Sequence, residues 1–371
     1  MLIRNLAKVV VGALALILNH VATAHSEDPK APIKVGAIFS VSGWASIGGQ
    51  VELNATQLAV EDVNAQGGIA GRKLEVVYED NHSDLAATVS AFNKLVNKDK
   101  VVALLGPNWA EFAEVAAPLA ERSKIPMLTA SGFSWTLTKG KQFVFTDVPD
   151  FNVQVRPLAK YILGQHHKKI ALLHSSSTYF DGISSAMRDT LAKAGAPLFK
   201  FESVNPKETD YRTLLSRFQK DGVDALILFL QEGGDLAAAL RQMKALRYAP
   251  AVYSYDLAYD EEISKDRRLA DGVVFFSYTG EFSPALRERY LARFSMQPPW
   301  TVPKAFDNVF ILKSAIEKCG TQPEAIRNCL SQTDHQGSSG RIRYSVNGNI
   351  LDVGDITELK RVVNGEFASV N

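Results

Sequence analysis

Few side chains in this 371-residue chain are spaced for bond-making chemistry. Gly132-Phe133-Ser134-Trp135-Thr136 lacks the second glycine that lets a nucleophile elbow turn sharply. Neither G-x-x-x-x-G-K-[ST] nor G-x-G-x-x-G occurs, and Gly67-Gly68-Ile69-Ala70-Gly71 follows a helical stretch instead of opening one. His166-His167 sits in a basic stretch without metalloprotease spacing. His174 precedes Ser175, Ser176 and Ser177, but the sequence supplies no carboxylate to orient it. Cys319 and Cys329 lack the clustered Cys/His pattern of a zinc site. They flank the helix break Gly320-Thr321-Gln322-Pro323, so a disulfide there would staple a corner and stabilise by about 2–3 kcal/mol. No catalytic residue, metal or cofactor is expected, and the chain reads as a non-enzyme.

Aromatic residues in polar loops are the more telling feature, and the elements around them say where those loops lie. After Pro32 short apolar runs such as Ile33–Phe39, Lys168–His174 and Ala225–Leu230 alternate with amphipathic stretches such as Gln50–Asn64, Ala110–Arg122 and Gly182–Ala194. Strict alternation of strand and helix gives right-handed parallel units, hence doubly wound α/β sheets buried on both faces. The strands are too many for one sheet and the pattern restarts near Phe143–Asp150, so two similar lobes are predicted. Helices after residue 280 could pack on either lobe, and two last strands are expected around Asn347-Gly348. Ligands of such sheets bind beyond the carboxyl ends of the strands. The loops there carry Trp44, Trp109, Phe133, Trp135, Tyr179 and Tyr259, which two facing lobes would gather into a cleft.

Composition agrees with a globular binder. With 46% hydrophobic and 22% charged residues the chain is neither disordered nor a polytopic membrane protein. The balance of 41 basic to 40 acidic residues argues against a general nucleic-acid or anionic-membrane partner. Residues 1–24 have the layout of a cleaved secretory signal: Arg4 and Lys8, the apolar run Val9–Leu18, and Ala22-Thr23-Ala24. The run is too short to span a bilayer, which takes about 20 residues, so the mature chain should be free of the membrane in an exported compartment.

Glu61–Asp80 (EDVNAQGGIAGRKLEVVYED) resembles the solute-binding proteins of branched-chain amino acid ABC transporters, the leucine/isoleucine/valine-binding branch of the type I periplasmic fold. Ser42-Gly43, Gly106-Pro107, Ile125-Pro126 and Gly337–Gly348 match at the expected places, so the resemblance covers nearly all of the mature chain. It implies two lobes joined by a three-segment hinge, an N-terminal one of residues 33–147 plus 279–341 and a C-terminal one of 148–278 plus 342–371, with crossings near Asp147, Tyr278 and Tyr344. In amino-acid binders of this family hydroxyls and backbone N–H groups hold the ligand carboxylate. Here those positions are Ala110, Ser131, Gly132 and Phe133, two of them without the family's hydroxyl. Tyr179 stands in the "Y-G" loop and Asp256 where an acid pairs with the ligand ammonium. With Trp44 and Trp109 these form the candidate site. The resemblance implies a monomeric periplasmic receptor delivering a small solute to ABC permease subunits. The solute would be amino-acid-like or aromatic and amine-bearing, not a standard branched-chain amino acid. A ligand-sensing accessory to a membrane sensor, and an exported enzyme, are the competing readings.

Overall fold

The computed structural model describes residues 31–205, 208–230, 234–257, 261–278, 283–351 and 357–370. The leader 1–24 and Tyr259 lie outside the described residues.

Two sheets form the frame. Ile33–Phe39 (β1), Leu74–Asp80 (β2), Leu104–Leu105 (β3), Met127–Thr129 (β4) and Val144–Thr146 (β5) make a parallel sheet in the order β2-β1-β3-β4-β5. Ile170–Ser175 (β6), Lys200–Val204 (β7), Ala225–Phe229 (β8), Ala251–Ser254 (β9) and Val274–Tyr278 (β10) belong to the second. Asp334–Gly337 (β11) and Gly340–Arg343 (β12) form a separate hairpin. Thr357–Val363 (β13) and Glu366–Ser369 (β14) complete the second sheet, ordered β14-β13-β10-β9-β8-β6-β7, with β13 antiparallel to both its neighbours. The central strands are buried, β8 throughout and β1 except at Lys34, as their apolar runs require. Each sheet has an apolar core on either face, so the molecule is two α/β lobes.

Local chemistry moves several boundaries. The first helix runs Ser46–Ala65, starting four residues before the stretch Gln50–Asn64 and taking in Gly48-Gly49. The reason is close approach: a Cβ on Gly49 would lie 2.0 Å from the Ser40 carbonyl oxygen at the end of β1. The helix Thr178–Lys193 starts four residues early because the Ser177 side chain accepts the Phe180 N–H as N-cap, which draws Tyr179 out of the loop and into the first turn. The chain does turn at Asn347-Gly348, where the Gly348 N–H donates to the Ser345 carbonyl and Tyr344 and Ile350 form an antiparallel bridge, but the last hairpin, β13–β14, lies further on. It turns at Asn364-Gly365, where φ of 52° and 79° gives the left-handed pair that asparagine and glycine tolerate.

The late helices Pro284–Phe294, Thr301–Cys319 and Pro323–Leu330 all pack on the first lobe, through Leu286, Tyr290, Val309, Leu312, Ile326 and Leu330. Ile342, Tyr344 and Ile350 enter the same core. Cys319 and Cys329 are joined as a disulfide, with their Cα atoms 6.3 Å apart.

Candidate functional site

The carboxyl ends of β1 and β3 in one lobe face those of β9 and β10 in the other, and a cavity lies between them. Its volume is about 100 Å³. The first lobe supplies Ile47, Gly48 and Glu52 from the helix Ser46–Ala65, Trp109 and Ala110 from the start of the helix Ala110–Ser123, and Ser131 from a loop, while Val148 lines it from the segment that enters the second lobe's core. The second supplies Tyr179, Tyr255, Asp256 and Tyr278, and Pro299, Trp300 and Thr301 close the wall. Position follows from topology. In the first sheet β1 lies between β2 and β3, so chain connections leave it in opposite directions and open a crevice at its carboxyl end.

The aromatic wall is locked. Tyr278 stacks on Trp300 at 4.2 Å between ring centroids and 28° between planes. The hydroxyls of Tyr179 and Tyr278 are 2.5 Å apart, so one donates to the other, and they lie 3.0 and 2.5 Å from Oε1 of the buried Gln154, which accepts the remaining proton. Fixed rings with a satisfied polar edge present flat apolar faces to a solute. Burial holds the Tyr278 phenol well above its ordinary pKa, so it stays protonated. Trp109 is held at φ 66° and ψ 146°, a backbone region that only glycine enters freely. Its N–H donates to Ser131 Oγ at 3.3 Å, and its indole borders the cavity.

The electrostatics are one-sided. Among the described lining residues two are carboxylic acids, Glu52 and Asp256, and none is Lys, Arg or His. Asp256 is 6% exposed and accepts from Ser277 Oγ at 3.3 Å. Glu52 is 1% exposed, and its Oε2 has no hydrogen-bond partner. Burial pushes its pKa up to about 8; the Ser131 hydroxyl pulls it back, and the Asp147 carboxylate adds to the rise.

Of the residues predicted from sequence, Trp109, Ala110, Ser131, Tyr179 and Asp256 come together on the cavity wall. Trp44 does not line it: it stands edge-on to Trp109 at 5.3 Å and is 46% exposed. Gly132 is spent on structure, its N–H donating to Thr129 Oγ1 and its carbonyl accepting from Thr146 Oγ1. Phe133 is 2% exposed and belongs to the core of the second lobe, edge-on to Phe151 at 4.7 Å. The loop thus ties one lobe to the other and leaves the cavity to its neighbours. Glu52, Tyr278 and Trp300 were missed. Trp300 follows a Pro-Pro pair, not a strand, and Glu52 is an acid on the buried stripe Glu52, Ala55, Ala59 and Val63, which was the available signal.

Two clusters resemble catalytic apparatus and are not arranged as one. Ser42 Oγ and Asp80 Oδ2 both approach Nδ1 of His82, at 2.8 and 3.0 Å, whereas a triad needs them on opposite ring nitrogens. A carboxylate does stand near His174, contrary to the sequence reading: Asp181 Oδ1 is 3.4 Å from its Nδ1. The buried Nε2 has no partner, so no hydroxyl is activated there, and burial lowers the imidazole pKa. Among the described residues no group of three or more His, Cys, Asp or Glu side chains is placed to hold a metal, and no helix is long and apolar enough to cross a membrane.

Comparison with known proteins gives one answer. Residues 32–351 match the family model described as periplasmic binding protein. The Leu/Ile/Val-binding protein of Escherichia coli K12 is 31% identical over 239 residues, 63% of this chain and 62% of that protein, so the match spans under two thirds of that relative's length. The leucine-, isoleucine-, valine-, threonine- and alanine-binding protein of Pseudomonas aeruginosa is 25% identical over 86% of this chain and 87% of its own. The fold is shared with the branched-chain amino acid transporter substrate-binding protein of Streptococcus pneumoniae, solved with isoleucine, at a TM-score of 0.80, 23% identity and coverage of 91% and 98%. It is shared too with a solute-binding protein of an ABC transporter from Rhodopseudomonas palustris BisB5, solved with 3,4-dihydroxybenzoic acid, at 0.78, 18%, 92% and 96%.

Proposed function

The chain belongs to the periplasmic binding protein family, and we propose that it is an exported, monomeric receptor that captures a small solute between its lobes and delivers it to the permease of an ABC importer. The solute enters and leaves unchanged. The lobes divide as residues 33–147 and 279–341 against 148–278 and the C-terminal segment. Residues 342–350 go with the first lobe, because Ile342, Tyr344 and Ile350 sit in its core.

One observation carries the ligand reading: the cavity is walled by aromatic rings and two buried acids, with no basic side chain among the described lining residues. Asp256 takes the ammonium of the solute, and Trp109, Tyr179 and the Tyr278–Trp300 stack hold a flat or apolar body by stacking and cation–π contact. Ala110 leaves out a hydroxyl that a carboxylate would use. The solute is therefore amine-bearing and not a standard branched-chain amino acid.

A thermal-shift screen of amino acids, aromatic acids, amides and amines tests this. Amines with an apolar or aromatic body should stabilise the protein, and Asp256→Asn should weaken their binding by about 100-fold or more, the cost of breaking a buried charge pair. Stabilisation by leucine at low micromolar concentration would overturn the ligand reading.

A further inference from the structure

We propose that Glu52 is a second solute-contacting residue, accepting an N–H donor from the first-lobe side of the cavity, so that the solute class is a small organic diamine or amidine with two separated donor ends and no carboxylate. This rests on the receptor reading above and narrows it.

The geometry points there from three sides. Glu52 lines the cavity from the helix Ser46–Ala65, whereas Asp256 lines it from the loop after β9 in the other lobe. The two acids thus meet a captured solute from opposing lobes. Glu52 Oε2 has no hydrogen-bond partner, in a side chain only 1% exposed that lines both this cavity and a smaller space toward the first-lobe core, and a buried polar atom left unsatisfied is costly. A donor from the solute removes that cost on binding. A solute carboxylate would face two acids with no basic residue among the described lining residues, in a site shielded from water.

The charged surroundings of Glu52 support this assignment. Asp147, in the segment before the helix Phe151–Gly164, acts on it directly. Lys304 and Asp307, on the helix Thr301–Cys319 that packs against the helix of Glu52, act on Asp147. Across the cavity stand Asp256 and the phenols of Tyr179 and Tyr278. With its pKa near 8 the Glu52 carboxyl is protonated at neutral pH, and a cationic donor that binds beside it displaces the proton. Affinity should therefore rise with pH, by up to tenfold per unit below about 8, and level off above.

The experiment is isothermal titration of the mature chain with three matched probes: benzylamine, p-xylylenediamine and 4-(aminomethyl)benzoic acid. They share an ammonium for Asp256 and differ only at the far end. The diamine should bind at least tenfold tighter than benzylamine and the amino acid weakest, with the diamine gaining affinity from pH 6.5 to 8. Glu52→Ala should remove the preference for the diamine, and Glu52→Gln should remove its pH dependence. Tightest binding by 4-(aminomethyl)benzoic acid, or diamine affinity that falls or stays flat with pH, overturns the role of Glu52 while leaving the amine-receptor reading standing. If no probe binds, both fall. The probe series on the wild-type chain decides even if a variant does not fold.

Discussion

Replacing Glu52 by glutamine in the ligand-free protein should change how stability depends on pH. The wild-type carboxyl has a folded-state pKa near 8 against an ordinary 4.5, with burial the main cause. Between those values the folded chain keeps a proton that the unfolded chain has released. The stabilisation is complete below the unfolded pKa and is lost as the pH rises through the folded one, by up to about 1.4 kcal/mol per unit. From pH 6 to pH 8 this group alone should remove about 2 kcal/mol. Asp147, raised to about 6 by burial against the opposing pull of Lys304, acts with the same sign but mostly below pH 6. Glutamine keeps the size of Glu52 and cannot ionise, so the variant should gain about 2 kcal/mol on the wild type between pH 6 and pH 8. In thermal unfolding of a chain this long that is a relative shift of roughly 2–4 °C. Urea unfolding of both proteins at pH 6, 7 and 8 measures it. Parallel stability curves would refute the burial argument.

Three further outcomes follow from packing. Phe133→Ala should cost about 3–5 kcal/mol in unfolding free energy, because the ring fills the core of the second lobe, yet change ligand affinity less than twofold in calorimetry. Gly49→Ala should destabilise by about 1–3 kcal/mol or more in the same unfolding assay, since the new methyl meets a backbone oxygen that no rotamer can move. The Cys319→Ser, Cys329→Ser double variant should lose about 2–3 kcal/mol, read as a lower urea midpoint with unchanged ligand binding.

The fold was legible where one physical cause dominates. Unbroken apolar runs named the buried strands, and their alternation with helices gave parallel sheets in two lobes. Boundaries failed where a tertiary contact overrides local preference. The first helix takes in Gly48-Gly49, with the Ser40 carbonyl close against Gly49, and Ser177 caps a helix that periodicity alone begins at Gly182. The site was legible in half. Loops beyond strand ends drew attention to Trp109, Tyr179 and Asp256, because topology fixes where strand ends go. Phe133 obeys the same rule yet faces a core, and no pattern along the chain says which way a loop side chain turns. Trp300 and Tyr278 form the stacked wall from the end of a strand and a segment 22 residues later, a pairing that only the fold makes. Glu52 carried the clearest unread signal, an acid on an apolar helical stripe.

Small-angle scattering of the mature protein, without ligand and with a saturating amine from the thermal-shift screen, tests most directly whether two lobes capture a solute between them. Closure predicts a smaller radius of gyration with the amine bound and no change for Asp256→Asn at the same concentration. Superimposable profiles with and without amine, while calorimetry shows it bound, would contradict capture between moving lobes.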